Sequence, residues 1–184
     1  MSWSVVSYGQ EVHTIKRYAT PETCSELVQL TKQSQTRTWL SELNSARVVE
    51  FNHPKAQKFI DLFVKDMSWF APHQFKDTVE LVREQTNFMV WPVGSQKDPH
   101  EDHDNEHVWY SFILYLNNDY RGGELYFNDL DLTIKPEIGD VIVFKSYAPN
   151  MNHEIKLVED NSRYTLAVWL QSEIPYLPPV TPAP

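Results

Sequence analysis

Residues Asp98–Glu106, DPHEDHDNE, bring five acids and two histidines together, with His107 directly after them. Imidazole and carboxylate are the side chains that hold first-row divalent metals. Two histidines and one carboxylate on one face of an iron ion leave the opposite positions open, as oxygen chemistry requires. Alternate residues of an extended chain point the same way, so H-x-D is an economical way to set both ligand types on one metal. His100-Glu101-Asp102 is such a pair, whereas His103 is followed by Asp104 and Asn105 and offers no frame of this kind. Alone the pair is a weak signal, because chance explains H-x-D in an acidic loop more readily than ligation does.

A distant partner strengthens it. His153 opens the segment NHEIKLV after a turn rich in Pro and Asn, a place where a histidine is ordinarily a surface or capped residue. Arg163 follows in RYTLAVWL. If its strand turns it inward, its charge costs several kcal/mol unless paired. No acid accompanies it on that strand, so an incoming carboxylate, gripped by the guanidinium fork, is the obvious partner. The alternative places Arg163 at a frayed strand end in solvent.

Positioning these side chains requires strands. From Val79 onward the chain reads as short strand-length segments, including HVWYSFILYLN, GELYFN, GDVIVFKS and RYTLAVWLQ, divided by turn residues such as Gly122-Gly123 and Gly139-Asp140. Period-two alternation puts Trp109, Ser111, Ile113 and Tyr115 on one face and Tyr110, Phe112, Leu114 and Leu116 on the other. Likewise Arg163, Thr165, Ala167 and Trp169 oppose Tyr164, Leu166, Val168 and Leu170. Each strand thus has one wholly apolar face and one mixed face of the kind that lines a cavity.

Upstream, residues 1–20 read as an extended lead-in. Thr20-Pro21-Glu22 starts a helix that runs to about Lys32. A second helix begins near Pro54, with Ala56, Phe59, Ile60, Phe63 and Met67 on one face as a core stripe. Helices first and strands after predict an α+β, mainly β fold, a sandwich or barrel with helices packed outside. The Pro-rich tail, residues 175–184, cannot join a sheet interior; it has a P-x-x-P pattern but reads as solvated or surface-draped.

With 184 residues, 41% of them hydrophobic, the chain can fill one sizeable core. A net charge of −9 argues against nucleic acid or an anionic membrane as the main partner. Cys24 is the single cysteine, read as a small buried thiol in the first helix, so no internal disulfide forms. The lack of a secretory signal and of any apolar run of spanning length fits the cytoplasm.

The segment from about Asn87 to Leu170 resembles the iron(II)/2-oxoglutarate-dependent oxygenases of the prolyl 4-hydroxylase-like branch, in the style of small stand-alone bacterial and viral members. The resemblance rests on Gly94 ahead of Pro99-His100-Glu101-Asp102, then ILYLN, YRGGELYF, KPEIGDVIVF, HEI and RYTLAVWL, in that order. It implies a double-stranded β-helix (jelly roll), with N-terminal helices on one sheet. One oxygenase domain would then span 1–174, with a helical and extended part over 1–78 and the β-helix core over 79–174.

It further implies that His100, Asp102 and His153 bind Fe(II). Arg163, Tyr115 and Thr165 would take the distal carboxylate of 2-oxoglutarate, and Trp169, Trp91 and Trp109 would border the substrate. O2 is the oxidant, with ascorbate in support. The implied reaction is hydroxylation of a C–H bond, foremost in a prolyl residue of a peptide or protein. The remaining groups (Asp98, Glu101, Asp104 and Glu106, with His103 and His107) read as a solvated loop around the mouth with no metal role; the functional alternative, from its charge, is an acidic rim that steers a basic peptide.

Departures bear on specificity. Trp91 stands where Tyr is usual, and Asn161 where Gly is common. Val108 takes a position that is commonly Arg in peptidyl-prolyl hydroxylases. A free amino-acid hydroxylase and a non-catalytic β-helix binding module are the competing readings. The sequence leaves the oligomeric state open.

Overall fold

In the computed structural model, which describes residues 3–38, 46–50, 53–102 and 107–175, Thr20 caps helix α1 (Pro21–Gln33). Its hydroxyl accepts the Thr23 amide hydrogen at 3.2 Å, and Pro21 occupies the first turn, where its missing N–H costs nothing. Helix α2 (Pro54–Phe75) starts in the same manner, with His53 Nδ1 accepting from the Lys55 amide. Its buried stripe is Ala56, Phe63, Met67, Phe70, Ala71 and Phe75, while Phe59 and Ile60 are half-buried beside it.

The strands are β1 (Ser4–Tyr8), β2 (Val12–Lys16), β3 (Gln35–Thr38), β4 (Arg47–Glu50), β5 (Arg83–Trp91), β6 (Lys97–His100), β7 (Val108–Tyr115) and β8 (Arg121–Gly122). They continue with β9 (Leu125–Phe127), β10 (Leu132–Ile134), β11 (Val141–Lys145), β12 (His153–Ile155), β13 (Val158–Asp160) and β14 (Arg163–Gln171). An eight-stranded antiparallel sheet runs in the order β1-β2-β11-β7-β14-β5-β4-β3; a four-stranded sheet runs β10-β9-β12-β6, and β13 pairs with β8. This is the double-stranded β-helix expected from the sequence.

The N-terminal part contributes more than a lead-in. The hairpin β1-β2 lies against β11, and β3-β4 extends the opposite edge beside β5. The segment VHTIK hid its strand character because polar His13 and Thr14 are buried in it; His13 Nδ1 meets the Ser7 hydroxyl across the hairpin at 2.9 Å.

The large sheet carries a core on each face. On one side Tyr110, Phe112, Leu114, Leu166 and Val168 pack under Phe63, Met67 and Phe70 of α2 and Leu27 of α1. On the other, Met89, Tyr115 and Ala167 meet Phe127 and Ile155 of the small sheet, joined by Phe144. Each fully buried large apolar side chain contributes about 1.5–3 kcal/mol. The helix-side core therefore holds the sheet rigid behind whatever the opposite face binds.

A polar anchor closes α2. Lys76 adopts a left-handed cap at φ 58°, and the Asp77 carboxylate then accepts from the Tyr110 hydroxyl (2.7 Å), the Tyr147 hydroxyl (2.7 Å) and Lys145 Nζ (3.3 Å). Asp77→Ala removes an acceptor shared by three donors, of which Lys145 keeps Glu11 at 3.7 Å, and a stability loss of about 3 kcal/mol is expected. Urea denaturation checks this; a loss below about 0.5 kcal/mol would mean that water replaces the carboxylate at no cost.

Candidate active site

Strand β6 ends at His100 and pairs antiparallel with β12, which begins at His153, so the two histidines are direct cross-strand partners. Their ring centroids lie 4.3 Å apart. His100 Nδ1 faces the Asp98 carbonyl at 2.9 Å, and His153 Nδ1 faces the Met151 carbonyl at 2.9 Å. A carbonyl only accepts, so both Nδ1 atoms carry the hydrogen, and Nε2 is the atom through which each ring can act as a ligand.

Asp102 follows just beyond β6. Its Oδ1 lies 3.5 Å from His100 Nε2 and its Oδ2 lies 3.9 Å from His153 Nε2. One ligand atom from each of the three residues falls within 4.8 Å of the others.

The electrostatics prepare these groups as ligands. Burial alone pushes the Asp102 carboxyl up, but the adjacent His100 and His153 side chains and the Ser111 hydroxyl override it, holding the group below the usual carboxylate range. Burial pulls His153 down more strongly than Asp102 raises it, which favours the neutral imidazole a metal needs. Phe127 and Phe144 wall His153 at ring distances of 5.6 and 4.9 Å.

Arg163 opens β14, and only 1% of its surface is exposed. It is therefore inward, not at a frayed end. Its Nη2 donates to the Tyr115 hydroxyl at 3.1 Å, and its guanidinium carbon lies 4.9 Å from the Tyr115 ring centre and 5.4 Å from that of Trp91. Buried Arg163 Nε has no acceptor, and among the described residues no carboxylate pairs with the guanidinium. Burial opposes its charge, yet the Tyr115 and Tyr120 hydroxyls keep it firmly cationic. The stem fits because Gly123 lies against it: a Cβ there would approach Arg163 Cδ to 3.2 Å and Val158 Cγ2 to 3.0 Å, at a φ of +66°.

The triad and Arg163 open on one cavity of about 250 Å³ between the two sheets. Thr165, Trp91 and Trp169 line it as well, and Gln85, Lys97 and Glu101 contribute to its walls. Tyr115 sits against the guanidinium, and Thr165 is its cross-strand partner.

Trp109 is placed differently from the expectation. Leu170 pairs with Tyr110 but Gln171 pairs with Val108, so Trp109 is the extra residue of a bulge. Val108 consequently lines the cavity. Trp109 instead packs against Tyr147 at 4.8 Å and donates its indole hydrogen to the Ile174 carbonyl at 3.2 Å. His103, Asp104, Glu106 and the tail from 176 onward lie outside the described residues.

Two neighbours escaped sequence reasoning. Tyr120 lies beside Arg163, and burial pushes its phenol up to about 12, so it stays a neutral partner for the cation. Its signal lay in YRGGELYF, a segment read only as a whole. Ser111 donates to Asp102 Oδ2 at 2.6 Å, although a lone serine in an apolar strand signals nothing by itself.

The site fits the groups that the resemblance implies. Two imidazoles and one ionised carboxylate suit iron(II), and a buried guanidinium with an acceptorless Nε and no carboxylate partner among the described residues, lining the same cavity, suits the far carboxylate of 2-oxoglutarate. Fold and site together have the geometry of a jelly-roll protein whose cavity could hold a metal ion beside a carboxylate.

Residues 85–171 match the model of the 2OG-Fe(II) oxygenase superfamily, in agreement with the resemblance read from the sequence motifs. Over 65 residues the chain is 38% identical to prolyl 3-hydroxylase 2 of Homo sapiens and, equally, to prolyl 3-hydroxylase 1 of Gallus gallus. Each match covers 33% of this chain and 9% of the relative, so the chain spans only a small part of those proteins' length.

Among solved structures, a Pseudomonas putida prolyl-4-hydroxylase superposes with a TM-score of 0.75 at 16% identity, covering 90% of this chain and 95% of that one. A Trichoplax adhaerens prolyl hydroxylase, solved with a peptide fragment of the hypoxia inducible factor oxygen degradation domain, gives 0.75 at 15% identity, covering 90% and 85%. The viral collagen prolyl hydroxylase of Paramecium Bursaria Chlorella virus-1, solved with 2OG, gives 0.68 at 14% identity, covering 90% and 98%. These structures share the fold. Among the described residues no helix is long and apolar enough to cross a membrane.

Proposed function

We propose that this protein is an Fe(II)/2-oxoglutarate-dependent hydroxylase acting on a prolyl residue in a peptide or protein. The observation that carries the reading is the buried, acceptorless Nε of Arg163 on a cavity shared with His100, Asp102 and His153. A retired binding module has no physical reason to keep a desolvated charge without a partner.

In this reading His100, Asp102 and His153 hold the iron. Arg163, with Tyr115 and Thr165, binds the distal carboxylate of 2-oxoglutarate. Because Arg163 donates to the Tyr115 oxygen, the Tyr115 hydrogen is left to point at that carboxylate. Bound iron supplies the redox chemistry that couples O2 consumption and decarboxylation of 2-oxoglutarate, giving succinate and CO2, to hydroxylation of a C–H bond. The protein's share is placement: it fixes the cosubstrate at its far end, and the apolar walls of Met89, Ile113 and Ala167 exclude water. Trp169 and Val108 then border the substrate, with an apolar valine where a cation is usual in peptidyl-prolyl hydroxylases.

The prolyl assignment is supported by the kinship with prolyl hydroxylases, and the relatives include both 3- and 4-hydroxylases. The test is an anaerobic visible spectrum of protein with Fe(II), before and after 2-oxoglutarate, followed by succinate release with proline peptides and with free amino acids. A band requiring both additions, with peptide-stimulated succinate and a peptide mass gain of one oxygen, is expected. No band in folded protein refutes the oxygenase reading, and stimulation by free amino acids alone replaces the peptide with a small-molecule substrate.

A further inference from the structure

Behind the triad lies a second set of polar groups with no evident need to be there. Ser111 and Ser146 are 1% and 2% exposed, set among the aromatic and aliphatic side chains of β7 and β11. Their hydroxyl oxygens are 2.6 Å apart, and Ser111 Oγ is also 2.6 Å from Asp102 Oδ2. Two strands fix this spacing. Ser111 pairs across the sheet with Phe144, and the Ser146 amide donates to the Trp109 carbonyl at 2.9 Å, so the chain just past β11 is held alongside β7.

Proton directions follow from valence. A metal-ligating carboxylate only accepts, and a serine has one hydrogen to give. Ser111 therefore donates to Asp102, and the contact between the serines is made by the Ser146 hydrogen directed at Ser111 Oγ. The chain Ser146→Ser111→Asp102 has one polarity, and each link strengthens the next.

We propose that Ser146 and Ser111 form a hydroxyl relay that locks the Asp102 carboxylate, engaging Oδ2 and leaving Oδ1 to face the metal as a single-oxygen ligand. Oδ1 is the oxygen nearer His100 Nε2. The consequence concerns coordination number. With two imidazoles and one carboxylate oxygen, an octahedral ion keeps three open positions, which a two-point cosubstrate and a gas molecule together require. A carboxylate free to rotate can chelate through both oxygens and remove one of them. Ser111 is thus a positioning residue that acts through Asp102, and Ser146 acts through Ser111. The relay rests on the metal-centre reading above and deepens it.

The experiment is Mn(II) titration and the visible spectrum of the Co(II)-loaded protein, in wild type, Ser111→Ala, Ser111→Thr and Ser146→Ala. Ser111→Ala is expected to weaken Mn(II) binding about 10-fold and to change the Co(II) band shape as the carboxylate alters its mode. Ser111→Thr keeps a hydroxyl and restores both readouts. Ser146→Ala weakens binding about 3-fold, since it removes only the outer link.

Wild-type affinity and an unaltered Co(II) spectrum in folded Ser111→Ala overturn the relay while leaving the metal centre intact. A wild type that binds neither ion overturns both. Should Ser111→Ala fail to fold, Ser146→Ala decides alone: 3-fold weaker binding supports the relay and an unchanged Kd overturns it.

Discussion

Replacing Arg163 with methionine is expected to make the ligand-free protein more stable and unable to bind 2-oxoglutarate. The side chain is 1% exposed and one of its nitrogens is unpaired, so folding desolvates a cation with incomplete compensation. Swapping buried charge for an apolar chain of similar volume is often stabilising by about 1–4 kcal/mol. Contacts to Tyr115 and Trp91 offset part of that gain. The net is expected to be about 1–2 kcal/mol, or roughly 2–8 °C in Tm for a chain of this size.

Binding goes the other way. Without the fork the cosubstrate's far carboxylate is buried unpaired, which costs about 3–5 kcal/mol, or at least ~100-fold in Kd. Melts with and without 2-oxoglutarate, in the presence of Mn(II), read both effects. A variant that melts lower and still binds would show that the guanidinium is part of the core, not a receptor.

Loss of one imidazole is the second large effect. His153→Ala is expected to reduce metal affinity more than ~100-fold, beyond the range seen when a residue that merely orients a ligand is removed. Because His153 packs between Phe127 and Phe144, this variant also leaves a cavity and loses about 2–3 kcal/mol of stability. His100→Ala separates the two causes. That ring's side chain is 24% exposed against 4% for His153, so its removal abolishes metal binding with little change in Tm. Equal metal affinity in wild type and in folded His100→Ala would remove the triad.

The parts of the site legible in the sequence were those written as short-range patterns. The period-two faces of β7 and β14 rest on strand geometry alone, and Arg163, Thr165 and Trp169 do share one cavity, whereas Asp102 of the H-x-D pair falls just past the end of β6. What alternation could not reveal was the bulge at Trp109, because a single extra residue exchanges the faces of everything beyond it, and nothing in HVWYS marks the slip. The strands before α1 were illegible for another reason. VHTIK is buried by its neighbours β1 and β11 rather than by its own apolarity, so its burial is a property of the assembled sheet. Tyr120 and Ser111 were missed because their partners lie on other strands, and sequence distance says nothing about which hydroxyl meets which charge.

The two cores on opposite faces of the large sheet also make the molecule adaptable. Along β7 and β14, Phe112, Leu114, Leu166 and Val168 belong to the helix side, while Ile113, Ala167 and Trp169, with Gln85 of β5, look into the cavity. Neighbouring positions in the chain thus answer to different selective demands. A lineage, or a directed-evolution library confined to those four cavity positions, can explore new substrates one residue at a time while the helix-side core next door goes unsampled.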